Sequence, residues 1–256
     1  MLKSYIEIIK GVETMIKNAF ISGASKGIGR GIAESMASTG YNLALCCVNN
    51  IDLLTEYAKK LQNTFGVHVK AYKLDVSKPE DWENVVPTIL SDFKSIDIVI
   101  NNAGISYVGL ITDMSDLDWN KIVSTNLDSL FYSTKSFLPE MINRKEGQII
   151  NISSMWGEKG ASCEVAYSTT KGGVNSFTKS LAKEVAPSNI SVNAISCGVI
   201  DTDMNSCFTE SEMQELKSEI PACRLGTPRD VGQLVLSILN SPSYMTGQII
   251  GIDGGL

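Results

Sequence analysis

A hydroxyl, a phenol and an ammonium stand at Ser154, Tyr167 and Lys171 within the stretch from Asn151 to Lys171. Ser154 follows the run Gln148-Ile149-Ile150-Asn151-Ile152, whose length and β-branching indicate a buried strand. Ser154 is thereby placed at a strand's C-terminal end, where open α/β sheets hold their ligands. Tyr167 opens an amphipathic helical pattern, and Lys171, four residues on, shares its helix face. A free phenol titrates near pH 10, and a cation one helical turn away favours the phenolate and lowers that value, which makes Tyr167 a usable general acid-base. Ser154, across the cleft, would hold the carbonyl oxygen that takes or gives this proton. Tyr-x-x-x-Lys by itself is weak evidence, since a chain of this composition contains such a spacing by chance about every second time. The plain alternative is a tyrosine capping a core helix beside a solvated lysine.

The elements around this stretch supply the context. An apolar strand over residues 16–22 runs into Gly23-Ala24-Ser25-Lys26-Gly27-Ile28-Gly29, and a helical pattern carried by Ile32, Ala33, Met36 and Ala37 follows to Gly40. Glycines at such a turn let the backbone approach a pyrophosphate, which the helix N-terminus then stabilises with free N–H groups. The second strand, residues 43–48, ends at Cys46-Cys47-Val48-Asn49-Asn50 without the acid that usually binds a ribose 2′-hydroxyl and repels a 2′-phosphate. Further strands are expected over 68–74, 96–100 and 190–196, and helices over 53–65, 80–93, 117–144, 165–186 and 230–239. Asp75-Val76 and Asn101-Asn102-Ala103-Gly104 stand at strand ends; the two asparagines suit cross-linking of neighbouring strands or loops through backbone groups.

Composition narrows the classes. With 256 residues, 43% hydrophobic and 20% charged, the chain fits one large α/β domain. Residues 1–14 read as an N-terminal extension and 15–256 as a single domain, with a substrate lid over about 203–225. A net charge of −6 and a pI near 5.0 leave no basic footprint for nucleic acid. Six cysteines without a CxxC pair, and His68 as the sole histidine, give no support for a disulfide framework or a metal site, and point to a reducing cytoplasm. No apolar window is long enough to span a membrane.

Taken in order, Gly23/Gly27/Gly29 with Ser22 in front, Asp75, Asn101 to Gly104, Asn126 in Thr125-Asn126-Leu127, Ser154, Tyr167 and Lys171 resemble the short-chain dehydrogenase/reductase family from about Ile16 to the C-terminus. The resemblance implies a Rossmann-type, doubly wound parallel sheet of about seven strands with helices on both faces, and commonly a homotetramer. It implies a catalytic set of Asn126, Ser154, Tyr167 and Lys171, with Asn126 holding a water that links the lysine to solvent. It assigns the cofactor to Gly23, Ser25, Lys26, Gly27, Ile28, Gly29, Asp75, Val76, Asn102, Ala103, Gly104, Tyr167, Lys171, Gly198, Val199 and Thr202. Lys26 occupies a position where members that prefer NADP(H) often carry a base, so NADP(H) is expected ahead of NAD(H). Asp75 is placed to bond the adenine, or simply to begin the turn before the Pro79 helix. Cys197 stands where family members usually carry proline.

For substrate, the segments Val199 to Met204 and Ile220 to Pro228 look most like 3-oxoacyl-[acyl-carrier-protein] reductases. Those enzymes dock an acidic carrier through bases flanking the cleft; Lys145 keeps one such charge, and the other position is Ser188. The stretches Ser153-Ser154-Met155-Trp156-Gly157 and Ala161 to Val165 resemble instead a subgroup that reduces the 5-aminopentanone on elongation factor P. There Glu164 would pair with a substrate ammonium, or else serve only as a helix-start acid. Trp156, Glu164 and Met204 are the substrate candidates. A family member that binds dinucleotide as a sensor or scaffold without turnover is the alternative from another class; retention of the whole catalytic set speaks against it.

Overall fold

The computed structural model describes residues 17–205 and 209–256; the extension expected over 1–14 lies outside the described residues. Seven parallel strands form one sheet in the order β3-β2-β1-β4-β5-β6-β7. They are β1 (Asn18–Ile21), β2 (Asn42–Cys47), β3 (Val69–Lys73), β4 (Ile98–Asn101), β5 (Gly147–Ser154), β6 (Ile190–Cys197) and β7 (Ile249–Ile252). The helices are α1 (Gly27–Ser38), α2 (Ile51–Phe65), α3 (Pro79–Phe93), α4 (Asp116–Val123), α5 (Ser129–Arg144), α6 (Trp156–Lys159), α7 (Val165–Val185), α8 (Glu210–Glu219) and α9 (Pro228–Leu239). The central strands are buried at nearly every position because helices cover both faces.

Two cores result. On one face Ile32, Ala33 and Met36 of α1, Leu54 and Leu61 of α2, and Val231 and Val235 of α9 pack on Ile21, Leu45, Ile100 and Ile150. On the other, Trp82, Ile89 and Phe93 of α3, Phe137 and Met141 of α5, and Leu181 and Val185 of α7 pack on Phe20, Val99 and Ile149. Phe20 lies 5.6 Å from Trp82 and 5.0 Å from Phe137 between ring centroids. Helices α1 and α9 approach so closely that a Cβ on Gly31 would stand 2.5 Å from Pro228.

Residues 117–144, expected as one helix, are two helices joined by a π turn over Ser124–Asp128. The extra residue of such a turn re-aims the side chains around it, and here it buries Asn126 at 1% exposure. The short α6 directly after β5 had no signal in the periodicity, because four residues are too few for a repeat to show. Strand order reverses between β1 and β4, which opens a crevice outside the carboxyl ends of these strands.

Candidate active site

A cleft of about 840 Å³ occupies this crevice. Its walls bring together Gly23, Ser25, Lys26, Gly27, Ile28, Asp75, Val76, Asn102, Ala103 and Gly104 with Ser154, Trp156, Glu164, Tyr167, Lys171, Gly198, Val199, Thr202 and Met204. Two expected residues do not line it. Gly29 packs α1 against the turn, where a Cβ would meet Gly23 O and would stand 2.5 Å from Asn102 Nδ2. Asn126 sits behind the wall: its Oδ1 accepts from Ile105 N at 2.9 Å, and its Nδ2 donates to Ile105 O at 2.8 Å and Thr170 Oγ1 at 3.2 Å. The amide thus pins the loop after β4 and has little left with which to hold a water.

The end of β5 and the first turns of α7 carry the reactive groups. Ser154 closes β5, 6% exposed, and accepts from Trp156 N at 3.2 Å. Lys171 is 5% exposed and its Nζ donates to Ile152 O at 2.8 Å. It lies 5.5 Å from the centroid of the Tyr167 ring. No carboxylate pairs with it among the described residues, so burial lowers its pKa to about 8. Burial also pushes the Tyr167 phenol up, and the neighbouring Ser154 hydroxyl pulls the other way less strongly. The direction is opposite to the one expected from the Tyr-x-x-x-Lys spacing, because removal from water is the largest cause of the shift. Cys197, opposite Ser154 across β5 and β6, is buried and its thiol is pushed up to about 12, again by desolvation.

The dinucleotide side is built from backbone. The first turn of α1 has no side-chain cap and no acid, so its N–H groups remain free toward the cleft. Asn102 Nδ2 donates to Ser22 O at 2.9 Å and Gly23 O at 3.1 Å, holding the turn to β4 through backbone groups as expected, whereas Asn101 Nδ2 reaches a side chain, Asn151 Oδ1, at 2.8 Å. A Cβ on Gly104 would stand 3.4 Å from Asn126 Oδ1 and 3.6 Å from Lys171 Nζ, filling space beside the lysine. These features fit a pyrophosphate at α1 and a ribose beside Lys171. Asp75 lines the cleft but spends Oδ1 on Ser77 N and Oγ, at 3.1 and 2.6 Å, so it does begin the turn before α3. Lys26 is paired with Asp203 at 3.3 Å. Val199 O already accepts from Gly226 N at 2.9 Å. Gly198 is demanded by packing, since its Cβ would lie 2.6 Å from Asp253 Cα.

The family model for short chain dehydrogenases matches residues 17–213. The chain belongs to this family. Among similar members, a Bacillus subtilis (strain 168) protein named "Uncharacterized oxidoreductase YmfI" is 42% identical over 242 residues, covering 94% of this chain and 99% of that protein. The 3-oxoacyl-[acyl-carrier-protein] reductases FabG of Aquifex aeolicus (strain VF5) and of Vibrio cholerae are 38% and 35% identical, each covering 94% of this chain and 97% of the relative. As a member of the short-chain dehydrogenases the chain is an oxidoreductase that uses a nicotinamide dinucleotide.

The two positions named for carrier docking do not line the cleft within one subunit. Lys145 caps the C-terminus of α5, before β5, and its carbonyl accepts from Asn189 Nδ2 at 3.1 Å. Lys145 and Ser188 therefore sit at the N-terminal edge of the sheet, a full strand length, about 25 Å, from Ser154 in the same subunit. Conversely, Lys121 of α4 lines the cleft mouth together with Thr125. Their spacing of four residues on one helix face was the available signal, but nothing in the sequence said which face met the cleft. Glu164 is half-buried with no side-chain hydrogen bond or ion pair among the described residues, and desolvation raises its carboxyl pKa. Among the described residues no helix is long and apolar enough to cross a membrane, and no cluster of potential metal ligands is present.

Proposed function

We propose that the chain is an NADP(H)-dependent reductase of ketones, acting on a 3-oxoacyl group carried by acyl-carrier protein. The convergence of Ser154, Tyr167 and Lys171 on one cleft beside an uncapped helix N-terminus carries the reading. The cofactor, when bound, supplies the hydride. Ser154 Oγ holds the carbonyl oxygen, and Tyr167 Oη gives that oxygen its proton. Burial keeps the phenol protonated at rest, the form that ketone reduction consumes. Lys171, below its pKa of about 8 at neutral pH, remains charged and stabilises the phenolate left behind; it also binds the ribose beside Gly104. With the Asn126 amide engaged, the relay water falls to the main-chain carbonyl in the π turn. Lys26 takes the 2′-phosphate, supported by the lack of any acid among Cys47, Val48, Asn49 and Asn50 at that end of the cleft. Met204 and Leu216, from the segment expected as a lid, wall the substrate end. A cytoplasmic homotetramer is part of this reading, supported by Leu117 and Phe131, 81% and 54% exposed on α4 and α5.

A second reading is favoured by Glu164. An unpaired, half-buried carboxylate in the wall would be satisfied by a substrate ammonium, as in the 5-aminopentanone borne by elongation factor P, whereas an acyl thioester offers it no partner. Rates of NADPH oxidation with a short 3-oxoacyl thioester and with elongation factor P bearing the aminopentanone decide between them. Faster turnover of the thioester, unchanged in Glu164→Gln, supports the first reading. Preference for the modified factor, lost in Glu164→Gln, replaces it with the second, and no oxidation with either sinks both.

A further inference from the structure

Residues alternate along β5: Ile150 and Ile152 enter the core beneath α1 and α9, while Ile149, Asn151 and Ser153 face α7. Apolar side chains at 151 and 153 would satisfy burial, yet both are polar and so are their partners on the helix. Ser153 Oγ donates to Asn175 Oδ1 at 2.7 Å and lies 3.3 Å from Lys171 O. Asn151 Nδ2 donates to Thr178 Oγ1 at 2.9 Å. Exposures are 0% for Asn151 and Thr178, 2% for Ser153 and 7% for Asn175. Tyr167, Lys171, Asn175 and Thr178 form one stripe on α7, at spacings of four, four and three. The stripe that presents the phenol and the ammonium to the cleft is thus tied to β5, one and two turns further on, by buried hydrogen bonds.

Such bonds differ from apolar packing in what they restrict. A helix resting on isoleucines slides by a fraction of an ångström at little cost, whereas a 2.7 Å bond in a dry core does not stretch freely. The bond nearest the chemistry is Ser153 to Asn175, one residue before Ser154 on the strand and one turn after Lys171 on the helix. From the other side, a Cβ on Gly157 would stand 2.6 Å from Lys171 C, so α6 bears directly on the same helical turn.

We propose that Ser153 and Asn175 are positioning residues: their buried bond sets the height of Tyr167 and Lys171 along β5 relative to Ser154. This rests on the roles given to those three residues above. The pair touches neither substrate nor cofactor and acts through Lys171.

The test compares Ser153→Ala, which deletes one oxygen, Asn175→Val, and the double variant, which replaces the pair with apolar groups. Each is assayed for NADPH oxidation with the ketone that the wild type reduces, and for NADPH binding and melting temperature. In both single variants kcat is expected to fall about tenfold or more, with KM and the NADPH Kd within about twofold. The double variant is expected to recover the melting temperature but not kcat, because it removes the unpaired acceptor without restoring the tie. A kcat within twofold of wild type in either single variant, or full recovery of kcat in the double variant, overturns the proposal. Failure of the single variants to fold is decided by the double variant's kcat in the same way, and a double variant that also fails to fold overturns the proposal by showing the bond to be needed for folding itself. Tyr167→Phe run in parallel separates the two levels. Near-normal turnover there removes the proton-donor role itself, whereas an inactive Tyr167→Phe beside a normal Ser153→Ala removes only the positioning role.

Discussion

The two halves of the cleft are held by different means. On the β4–β6 side, Ser154, Tyr167 and Lys171 are backed by buried polar ties that run from Ser133 through Asn101 and Asn151 to Thr178, at 2.7, 2.8 and 2.9 Å. On the β1–β3 side, the walls are Cys47, Val48, Asn49, Asn50 and Asp75, and the one cation of the glycine turn, Lys26, is 63% exposed in a pair whose partner, Asp203, is 71% exposed. Proton transfer needs atoms fixed to a fraction of an ångström, so that side is over-determined. Recognition of a ribose phosphate is satisfied by a mobile charge in solvent. Substitutions on the first side should therefore act on kcat and steeply, and those on the second on cofactor affinity and gently.

Apart from loss of the Tyr167 phenol itself, Lys171→Met should give the largest effect, a loss of kcat of about a thousandfold, and it carries an opposite effect on stability. The ammonium titrates at about 8 in the fold against an ordinary 10.5. Between these values the unfolded chain binds more protons than the folded one, so stability rises with pH across that window. Below it the buried charge destabilises the fold, by roughly 3–4 kcal/mol. Lys171→Met should accordingly unfold at higher denaturant concentration at pH 7 and lose the rise above pH 8; an unchanged midpoint would show that the lysine sits in a wetter site.

Gly157→Ala comes next. Its methyl would enter the space of Lys171 C and O, and displacement of α6 or α7 should cut kcat by tens-fold and stability by about 1–3 kcal/mol. Steady-state rates with unchanged NADPH binding would confirm the effect as one of placement.

The other side should respond less. Lys26→Ala is expected to weaken NADPH about tenfold and NADH hardly at all, as read by titration of cofactor fluorescence. Asp203→Asn should tighten NADPH by a few-fold at most, because an exposed ion pair contributes at most about 1 kcal/mol, and added salt should erase the difference. Equal effects on NADPH and NADH would assign Lys26 to the pyrophosphate instead of the 2′-phosphate.

The same contrast explains what the sequence allowed one to read. Buried strands such as Ile98–Asn101 and Gly147–Ser154 stand out as β-branched runs between glycines and helical repeats, with the motif residues at strand ends, while the doubly wound sheet of about seven strands was what the family resemblance implied. Contacts between residues far apart in sequence did not show. Asn126 carries the helical spacing of its neighbours, and only tertiary pairing with Ile105 reveals a π turn. Lys145 has the composition of a carrier-docking base, but its distance from Ser154 depends on which end of β5 it precedes. The Tyr167 phenol shifts up because of three-dimensional burial, which a spacing rule does not contain. Ser153 and Asn175, 22 residues apart, look like surface residues until the helix is laid on the strand.

The most direct measurement is NADPH oxidation by Tyr167→Phe on the ketone that the wild type reduces, alongside NADPH binding to the same variant. Binding within about twofold of wild type, with the rate reduced by at least roughly a thousandfold, is the result expected if Tyr167 delivers the proton. A Tyr167→Phe protein that binds NADPH and turns over at a near-normal rate would contradict that role and, with it, the organisation of the site around β5 and α7.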